Sequence, residues 1–525
     1  MKKVNQKRQD CRMHMLRRDF LKLGLIGTGA LTLTGFSVSD TPENRRPNIV
    51  LILADDFGWG DASSYNPEAG FQTPNIDRLA HEGIRFTNAF TPHSVCTPTR
   101  YALLTGRYAW RTWMREGVLS DYAPSLIPST RLTLASMLKK YGYATGVFGK
   151  WHLGLDWQPV EGDPGDWQWG TQPREGAVRT TFRVDHSKPL KAGPNDLGFD
   201  YSFISSANNP HPPIFLRNDQ VDGNPERDPD GTMRDPRVQR DKVDDIYIAE
   251  SIDFLEKHLA KKDGSPFFIY LPLNAIHQAT LVPERFKGKS GVDEAGDKCL
   301  WLDESVGKVL EVLKKYGLSD NTLVIFTSDN GPLAPNIQGY GPQSNPHQPA
   351  GPYRGYKTDA WDGGFRIPFI ARWPQGIPAG STCDHLFSIS DVFATIAALV
   401  GHELPQWAGE DSFNQLSSLL GNPPSNPVRQ SIILQSYTGI LSIRTNRWKL
   451  ILDTKGSGGF VFRSPGYQPR IQGPPWEIMH SPTGQLYDIL NDPYETTDLY
   501  DINRADVIGL QRMLDKLIRD ERSRP

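Results

Sequence analysis

The chain has 525 residues, more than one hydrophobic core usually serves, so one large domain with a smaller one attached is expected. Residues 1–39 carry eight of the 58 basic and two of the 60 acidic residues, which leaves residues 40–525 with a net charge of −8 when histidine is neutral. Such an acidic chain is not a general binder of nucleic acid or other polyanions, so an anionic substrate has to be captured by a local cluster of cations.

The first segment has the pattern of an export signal. A basic stretch leads to Arg-Arg-Asp-Phe-Leu-Lys at residues 17–22, which matches a twin-arginine signal. Residues 23–36 then form an apolar stretch that is too short to span a bilayer comfortably, and small residues suited to cleavage follow at 37–39. The alternative is a basic tail without a targeting role. We expect residues 1–39 to be removed, giving a periplasmic or secreted protein that is not embedded in the membrane.

Apolar runs then alternate with helical patterns. Runs typical of strands buried on both faces lie at residues 48–54, 143–148, 266–271, 323–327 and 368–372. Amphipathic helical patterns lie between several of them, at residues 75–82, 133–141, 246–259 and 300–316. This alternation predicts an α/β domain with a central, mostly parallel sheet over residues 45–420.

The pattern changes in residues 421–525. Short strands are predicted at residues 431–435, 441–444 and 448–452. Residues 504–519 form an amphipathic helical pattern whose apolar stripe is Val507, Leu510, Met513, Leu514 and Ile518. A small antiparallel sheet covered by one helix is therefore expected as a C-terminal subdomain.

Acidic residues end two of the predicted buried strands. Asp55 and Asp56 follow the first strand, and Asp329 and Asn330 follow the strand at residues 323–327. Ligands collect at such strand ends in open α/β sheets, and buried carboxylates need neutralisation. Three carboxylates and an amide oxygen form an all-oxygen set that favours Ca²⁺ or Mg²⁺. The alternative for Asp55 and Asp56 alone is a helix cap or a turn.

Cys96 opens a predicted helix, with Pro98 in its first turn. A helix N-terminus offers free N–H groups and partial positive charge, which suit an anion. Arg100 lies four residues further on the same face, where its guanidinium can hold oxygen atoms at the position of Cys96. The alternative for Cys96 is an inert buried thiol. Of the other cysteines, Cys11 lies in the leader, and Cys299 and Cys383 are expected as two small buried residues, although a disulfide between them stays open.

Further basic side chains are candidates for the same site. Lys150 and His152 follow an apolar run at positions i and i+2, so they face one side of an extended chain. Lysine suits a compact anionic oxygen, and histidine suits proton transfer near neutral pH. His277 follows another predicted strand, and Lys357 lies in a loop rich in glycine and aromatic residues. Each could be an ordinary solvated residue if it stood alone.

The run Ser-Val-Cys-Thr-Pro-Thr-Arg at residues 94–100 resembles the signature of the formylglycine-dependent sulfatases. The other motifs occur in the order of that family over most of residues 47–500. The chain departs from the usual pattern at Phe148, Ile276 and Pro332, none of which is a catalytic side chain. The resemblance implies an alkaline-phosphatase-like three-layer fold and one Ca²⁺ held by Asp55, Asp56, Asp329 and Asn330. It also implies sulfate contacts from Lys150, His277 and Lys357.

The resemblance further implies that a formylglycine-generating enzyme oxidises Cys96 to 3-oxoalanine. One hydroxyl of the hydrated aldehyde then attacks sulfur, and loss of the proton of the second hydroxyl, to His152, expels sulfate. His277 or a neighbouring lysine protonates the leaving alcohol. A plain cysteine or serine lacks that second hydroxyl.

The expected substrate is a sulfated carbohydrate, because an exported chain carries aromatic residues at Trp157, Trp167 and Trp169, near His186. These rings suit stacking on sugars, or they pack their own loop. Two other functions stay open. One is a formylglycine-dependent phosphonate monoester or phosphodiester hydrolase, and the other is a non-catalytic exported glycan-binding protein.

Overall fold

A computed structural model describes six stretches of the chain, residues 46–161, 184–207, 212–227, 233–335, 347–453 and 484–525. The predicted leader at residues 1–39 and the tryptophans at 167 and 169 lie outside them. Among the described residues, no helix is both long and apolar enough to cross a membrane.

The described strands form one large sheet and three small ones. In chain order they are β1 (Asn48–Ala54), β2 (Ile84–Phe86), β3 (Ala89–Phe90), β4 (Ala144–Lys150), β5 (Tyr201–Ser205), β6 (Leu216–Arg217), β7 (Gln220–Val221), β8 (Glu226–Arg227), β9 (Met233–Arg234), β10 (Phe267–Pro272), β11 (Thr322–Ser328), β12 (Phe369–Arg372), β13 (Ser381–Cys383), β14 (Phe387–Ser388), β15 (Ser431–Gln435), β16 (Leu441–Thr445), β17 (Trp448–Ile451) and β18 (Gln485–Asp488). The large sheet has the order β13-β2-β12-β11-β1-β10-β4-β5-β6-β7. Its five central strands, β11 to β5, are parallel to one another.

The structure describes eight α-helices, several of which cover the two faces of this sheet. They are α1 (Pro74–His81), α2 (Cys96–Thr105), α3 (Leu134–Lys140), α4 (Val243–Ala260), α5 (Glu294–Lys315), α6 (Asp391–Val400), α7 (Leu416–Leu419) and α8 (Arg504–Arg519). Alternate residues of β1 enter two different cores, because successive side chains of a strand point to opposite faces. Leu51 packs with α2, α3 and α6, whereas Ile52 packs with α1, α4 and α5. The result is the predicted three-layer architecture.

The last four strands form an antiparallel sheet in the order β15-β16-β17-β18, called here the C-terminal sheet. Helix α8 covers one of its faces and buries Val507, Leu510 and Leu514 against it. The predicted small antiparallel sheet with one covering helix is confirmed. Met513 was wrongly placed on the buried stripe: its side chain is 41% exposed.

Two further expectations have clear outcomes. Helix α5 begins six residues earlier than predicted, because Asp293 caps it by accepting a hydrogen bond from the Gly296 amide at 2.8 Å. Cys299 and Cys383 are both free and buried, so no disulfide joins them.

Candidate active site

The carboxyl ends of the parallel strands bring the predicted site residues to one edge of the sheet. Asp55 and Asp56 follow β1, Asp329 and Asn330 follow β11, Lys150 ends β4, and His277 lies five residues beyond β10. Cys96 begins α2, and Lys357 lies in the loop between β11 and β12. All ten predicted residues are buried, the most exposed being Lys357 at 7%.

Three carboxylates and three cations contact one another, and we call these six residues the strand-end charge cluster. Lys150 Nζ lies 2.5 Å from Asp55 Oδ2, and Lys357 Nζ lies 2.5 Å from Asp56 Oδ1. Arg100 Nη2 and Nε donate to Asp329 Oδ2 at 2.6 and 2.9 Å. The three formal negative charges thus equal the three positive ones.

The same cluster leaves several oxygens without a donor. Asp55 Oδ1, Asp56 Oδ2 and Asn330 Oδ1 are buried and accept no hydrogen bond in the described part of the chain. Potential ligand atoms of Asp55, Asp56 and His277 lie within 4.8 Å of one another. Buried carboxylate and amide oxygens without partners are costly unless they bind a cation. The residues present therefore fit a hard divalent ion such as Ca²⁺ or Mg²⁺.

The pKa values of the three carboxyl groups in this cluster do not all shift in the same direction. Burial raises the pKa of Asp55, but the charges of Lys150, His277 and Arg100 outweigh it and hold that pKa below its usual range. Burial and the charge of Asp55 raise the pKa of Asp329 to about 6. Burial also raises the pKa of Asp56, although Lys357 opposes the change. The three carboxylates repel one another, and a bound cation would reduce that repulsion.

Cys96 is the first residue of α2 and is only 2% exposed. The preceding residue, Val95, provides no side-chain cap, so the first N–H groups of the helix keep their capacity to bind an anion. Burial raises the pKa of the Cys96 thiol, although Lys150 and Lys357 act in the opposite direction. The Cys96 thiol is therefore not a preformed thiolate near neutral pH.

Arg100 uses most of its guanidinium on the protein itself. Besides its two bonds to Asp329, its Nη1 donates to the carbonyl of Lys150 at 2.8 Å. Three of its five N–H groups are thereby occupied. The expectation that Arg100 also holds the oxygens of a modified Cys96 depends on the two that remain.

His152 has a defined pattern of protonation. Its Nε2 lies 3.0 Å from the carbonyl oxygen of Leu119, which can only accept, so Nε2 carries the proton. Its Nδ1 is buried without a partner among the described residues and keeps its lone pair. Burial, followed by the charges of Lys150 and Arg100, lowers the pKa of His152 well below its ordinary value. The ring is a neutral acceptor at Nδ1.

His277 lies beside the cluster, with Nε2 3.9 Å from Asp56 Oδ2. Burial and the charge of Lys357 lower the pKa of His277 well below its ordinary value. The segment before it is held by Asp244, which accepts hydrogen bonds from the amides of Asn274 and Ala275 at 2.9 and 2.8 Å. The sequence analysis missed Asp244, because an acid in the first turn of a helix is ordinarily a surface residue.

The aromatic residues proposed to stack on sugars are only partly described. Trp157 is buried, and its ring centroid lies 5.6 Å from those of Tyr122 and His186 in edge-to-face arrangements. Trp157 therefore packs its own loop. Arg366 donates to the carbonyl of Thr87 at 2.9 Å and thereby supports the fold.

Comparison with known proteins gives a consistent result. The sulfatase family model matches residues 47–402. The N-acetylgalactosamine-6-O-sulfatase of Bacteroides thetaiotaomicron is 32% identical over 526 residues, covering 90% of this chain and 94% of that protein. Human arylsulfatase A is 33% identical over 468 residues, covering 87% and 83%. A solved structure from work on the metabolism of multiple glycosaminoglycans by Bacteroides thetaiotaomicron has a TM-score of 0.73 at 31% identity, covering 90% of this chain and 99% of that chain.

Proposed function

Because this chain belongs to the sulfatase family, we propose that it hydrolyses sulfate esters of a carbohydrate, with a nucleophile made from Cys96 and one Ca²⁺. The observation that carries the proposal is the strand-end charge cluster beside the N-terminus of α2. The two lysines and Arg100 interact electrostatically with Cys96, and the opposing carboxylates have oxygens without hydrogen-bond partners among the described residues, which suits a metal ion. That combination suits capture of an anion next to a nucleophile.

Asp55, Asp56, Asp329 and Asn330 are the proposed ligands of the Ca²⁺. When bound, the ion supplies positive charge that favours an ionised hydroxyl at neutral pH. The charges of the cluster cancel without it, so the bound ion leaves an excess of positive charge at the site. This local positive charge explains how a protein with a net negative charge attracts an anionic ester.

Lys150, His277 and Lys357 are the proposed contacts to the sulfate oxygens. Their buried side chains stabilise the negative charge that develops on those oxygens during transfer, because electrostatic interactions strengthen where water is excluded. Arg100 fixes Asp329 and the carbonyl of Lys150 in place, and its two remaining N–H groups are the proposed donors to the modified Cys96.

His152 is the proposed base that accepts the proton of the second hydroxyl, at Nδ1. A neutral ring with a free Nδ1 and a protonated Nε2 matches that task. Leaving-group protonation is assigned to His277 or one of the two lysines.

The carbohydrate substrate rests on the relatives, since the N-acetylgalactosamine-6-O-sulfatase is matched over nearly its whole length. We further propose that residues 1–39 direct twin-arginine export to the periplasm or beyond. A formylglycine-generating enzyme is the proposed maturation partner.

The test is release of inorganic sulfate from a panel of sulfated mono- and polysaccharides. The protein is co-produced with a formylglycine-generating enzyme, and peptide mass verifies the aldehyde at residue 96. Cys96→Ala is the control and should lower turnover by about four orders of magnitude or more, because the nucleophile is lost.

Substrate-dependent release that the control lacks supports the proposal and identifies the sugar. Faster turnover of matched phosphodiester or phosphonate esters would assign the second activity instead. An unmodified Cys96 and no turnover of any ester would favour the glycan-binding alternative.

A further inference from the structure

The loop that carries Lys357, residues 353–366, is called here the lysine loop. It lies between the site and the C-terminal sheet. On its site side, the amide of Lys357 donates to the carbonyl of Pro332 at 2.8 Å, and the amide of Thr358 donates to the carbonyl of Ser94 at 2.8 Å. Pro332 follows Asn330 closely, and Ser94 precedes Cys96 by two residues. A shift of this loop therefore moves Lys357 relative to both the metal ligands and the nucleophile.

The other side of the lysine loop rests on the C-terminal sheet through polar contacts. Trp361 Nε1 donates to Gln485 Oε1 at 3.1 Å, and the amide of Tyr437 donates to the carbonyl of Thr358 at 3.2 Å. Arg354 Nη1 donates to Tyr487 Oη at 3.0 Å and to the carbonyl of Glu495 at 2.9 Å. These contacts bracket Lys357 on both sides along the chain.

The centre of this contact is a group of four buried charged residues, Asp362, Arg444, Lys449 and Glu495, called here the C-terminal charge cluster. Lys449 Nζ lies 2.9 Å from Asp362 Oδ1 and 2.8 Å from Glu495 Oε1. Arg444 Nε donates to Asp362 Oδ2 at 3.2 Å, and Glu495 Oε2 accepts the amide of Asp362 at 2.6 Å. None of the four is more than 2% exposed.

Strand alternation explains why charge lies on this face of the sheet. Ile443, Leu450 and Leu486 point towards α8, so their neighbours Arg444, Lys449 and Tyr487 point towards the lysine loop. The register pairs Arg444 with Lys449, and Lys449 with Tyr487, so two cations lie side by side. Like charges in such a pair repel, and Asp362 and Glu495 offset that repulsion.

Apolar residues would be enough to attach a sheet to a loop. A buried ion network usually adds little net stability over a hydrophobic one of the same volume. An ion network instead specifies one relative position of the groups it joins. Charge-assisted hydrogen bonds require defined distances and angles, whereas apolar contacts do not. The lysine loop is thus held in one position.

We infer that the C-terminal charge cluster is a positioning device for Lys357, so that the C-terminal sheet sets where this lysine meets the sulfate group. The inference rests on the proposed function, and it adds Lys449, Asp362 and Glu495 as positioning residues that do not touch the substrate. Their effect on turnover passes through Lys357.

A double-mutant cycle tests this, with matured protein and an aryl sulfate ester whose good leaving group keeps slow variants measurable. Lys449→Met is expected to lower kcat/KM by about tenfold to a hundredfold, the effect of a misplaced catalytic group. In a Lys357→Ala background, the same substitution should change kcat/KM by less than about twofold, because the group it positions is gone.

Arg429→Met is the matched control. Arg429 forms an equally buried ion pair with Asp391 at 2.5 Å, and none of its described hydrogen bonds goes to the lysine loop. It should lower the melting temperature but leave kcat/KM of the folded protein within about twofold of the parent. If Lys449→Met does not fold, Glu495→Gln takes its place, since it keeps the shape of the side chain and removes only its charge.

Equal fold-losses in the parent and Lys357→Ala backgrounds would overturn the inference while leaving the sulfatase activity in place. So would parent-like turnover in both Lys449→Met and Glu495→Gln. Absence of sulfate ester hydrolysis in the matured parent protein would instead refute the proposed function, and this inference with it.

Discussion

The protein contains two buried charge clusters that differ in what they leave unsatisfied. In the strand-end charge cluster, Asp55 and Asp56 each keep one buried oxygen without a hydrogen-bond partner. In the C-terminal charge cluster, Lys449 bridges two acids, and both oxygens of Asp362 are paired with cations. Glu495 Oε1 also makes no hydrogen bond among the described residues, but it lies 2.8 Å from the Lys449 ammonium, so each carboxylate oxygen of the second cluster faces a cation or an amide. The first arrangement is therefore the one suited to receive an ion and a substrate.

The difference teaches that burial and charge alone do not mark an active site. Both clusters are inaccessible to bulk water, and both shift the pKa values of their acids. The useful signal is the pattern of unpaired atoms, because a structural network satisfies its own groups and a binding site leaves some for its ligand.

The largest expected effect is on turnover, from Asp56→Asn. This change removes one charge from the strand-end charge cluster and weakens binding of the ion, so kcat/KM should fall by about a thousandfold or more. The melting temperature in the presence of a chelator should also fall, because the buried Lys357 ammonium loses the carboxylate it pairs with. Steady-state kinetics and thermal unfolding measure the two quantities. A large drop in the melting temperature measured with a chelator, without any loss of turnover, would reverse the assignment of the two clusters.

The next effect is on stability, from Asp362→Asn in the C-terminal charge cluster. Two buried cations lose their shared carboxylate, which should lower the free energy of unfolding by about 3–5 kcal/mol. Urea unfolding followed by tryptophan fluorescence measures it. An unchanged unfolding midpoint would show that the cluster is not needed to hold the sheet on the loop.

A smaller effect concerns pH. Burial raises the pKa of Asp362, but Lys449, Arg444 and Arg366 outweigh it and hold the pKa below its ordinary value of 3.8. The unfolded chain therefore binds this proton more readily, so the stabilisation by Asp362 is fully present above pH 3.8, begins to decline as the pH falls below that value, and is lost as the pH falls through the lower pKa of the folded protein.

The stability difference between the parent and Asp362→Asn should accordingly narrow as the pH falls from about 4.5 to about 2.5, in unfolding experiments at each pH. A difference that stays constant over this range would contradict the ionised state of Asp362.

The smallest effect is expected from an exposed ion pair of similar length. Lys257 and Asp253 lie 2.7 Å apart on α4, with 74% and 50% of their side chains exposed. Lys257→Ala should shift the melting temperature by no more than about 2 °C, because water screens such pairs. A shift as large as that of Asp362→Asn would mean that burial is not what distinguishes the C-terminal charge cluster.

Much of the fold follows from local pattern. Strands β1 and β15 and helix α8 have the predicted bounds, because long apolar runs and a clear helical stripe define them. The two-residue strands β6 and β7 were not predicted, since they are too short to show a period. They depend on pairing, β6 with β5 and β7 with β6. Met513 shows a similar limit of pattern-based prediction within helix α8. It lies one position away from the buried apolar stripe, and its side chain is therefore exposed.

The site was predictable where chemistry marks a strand end or a helix start. All ten predicted residues converge, although their catalytic roles stay predictions. The C-terminal charge cluster was not found, because Asp362, Lys449 and Glu495 are far apart in the chain and each resembles an ordinary surface charge. The strand register brings Lys449 to the buried face beside Arg444, and Asp362 and Glu495 reach it from the lysine loop and from the segment after β18.

The most direct measurement is calcium titration calorimetry on protein stripped with a chelator, with Asp56→Asn and Lys449→Met run beside it. The account predicts one Ca²⁺ per parent chain, a binding event lost or strongly weakened in Asp56→Asn, and one retained in folded Lys449→Met. Absence of binding by the parent, or binding that Asp56→Asn leaves intact and Lys449→Met removes, would contradict the assignment of the ion to the strand-end charge cluster.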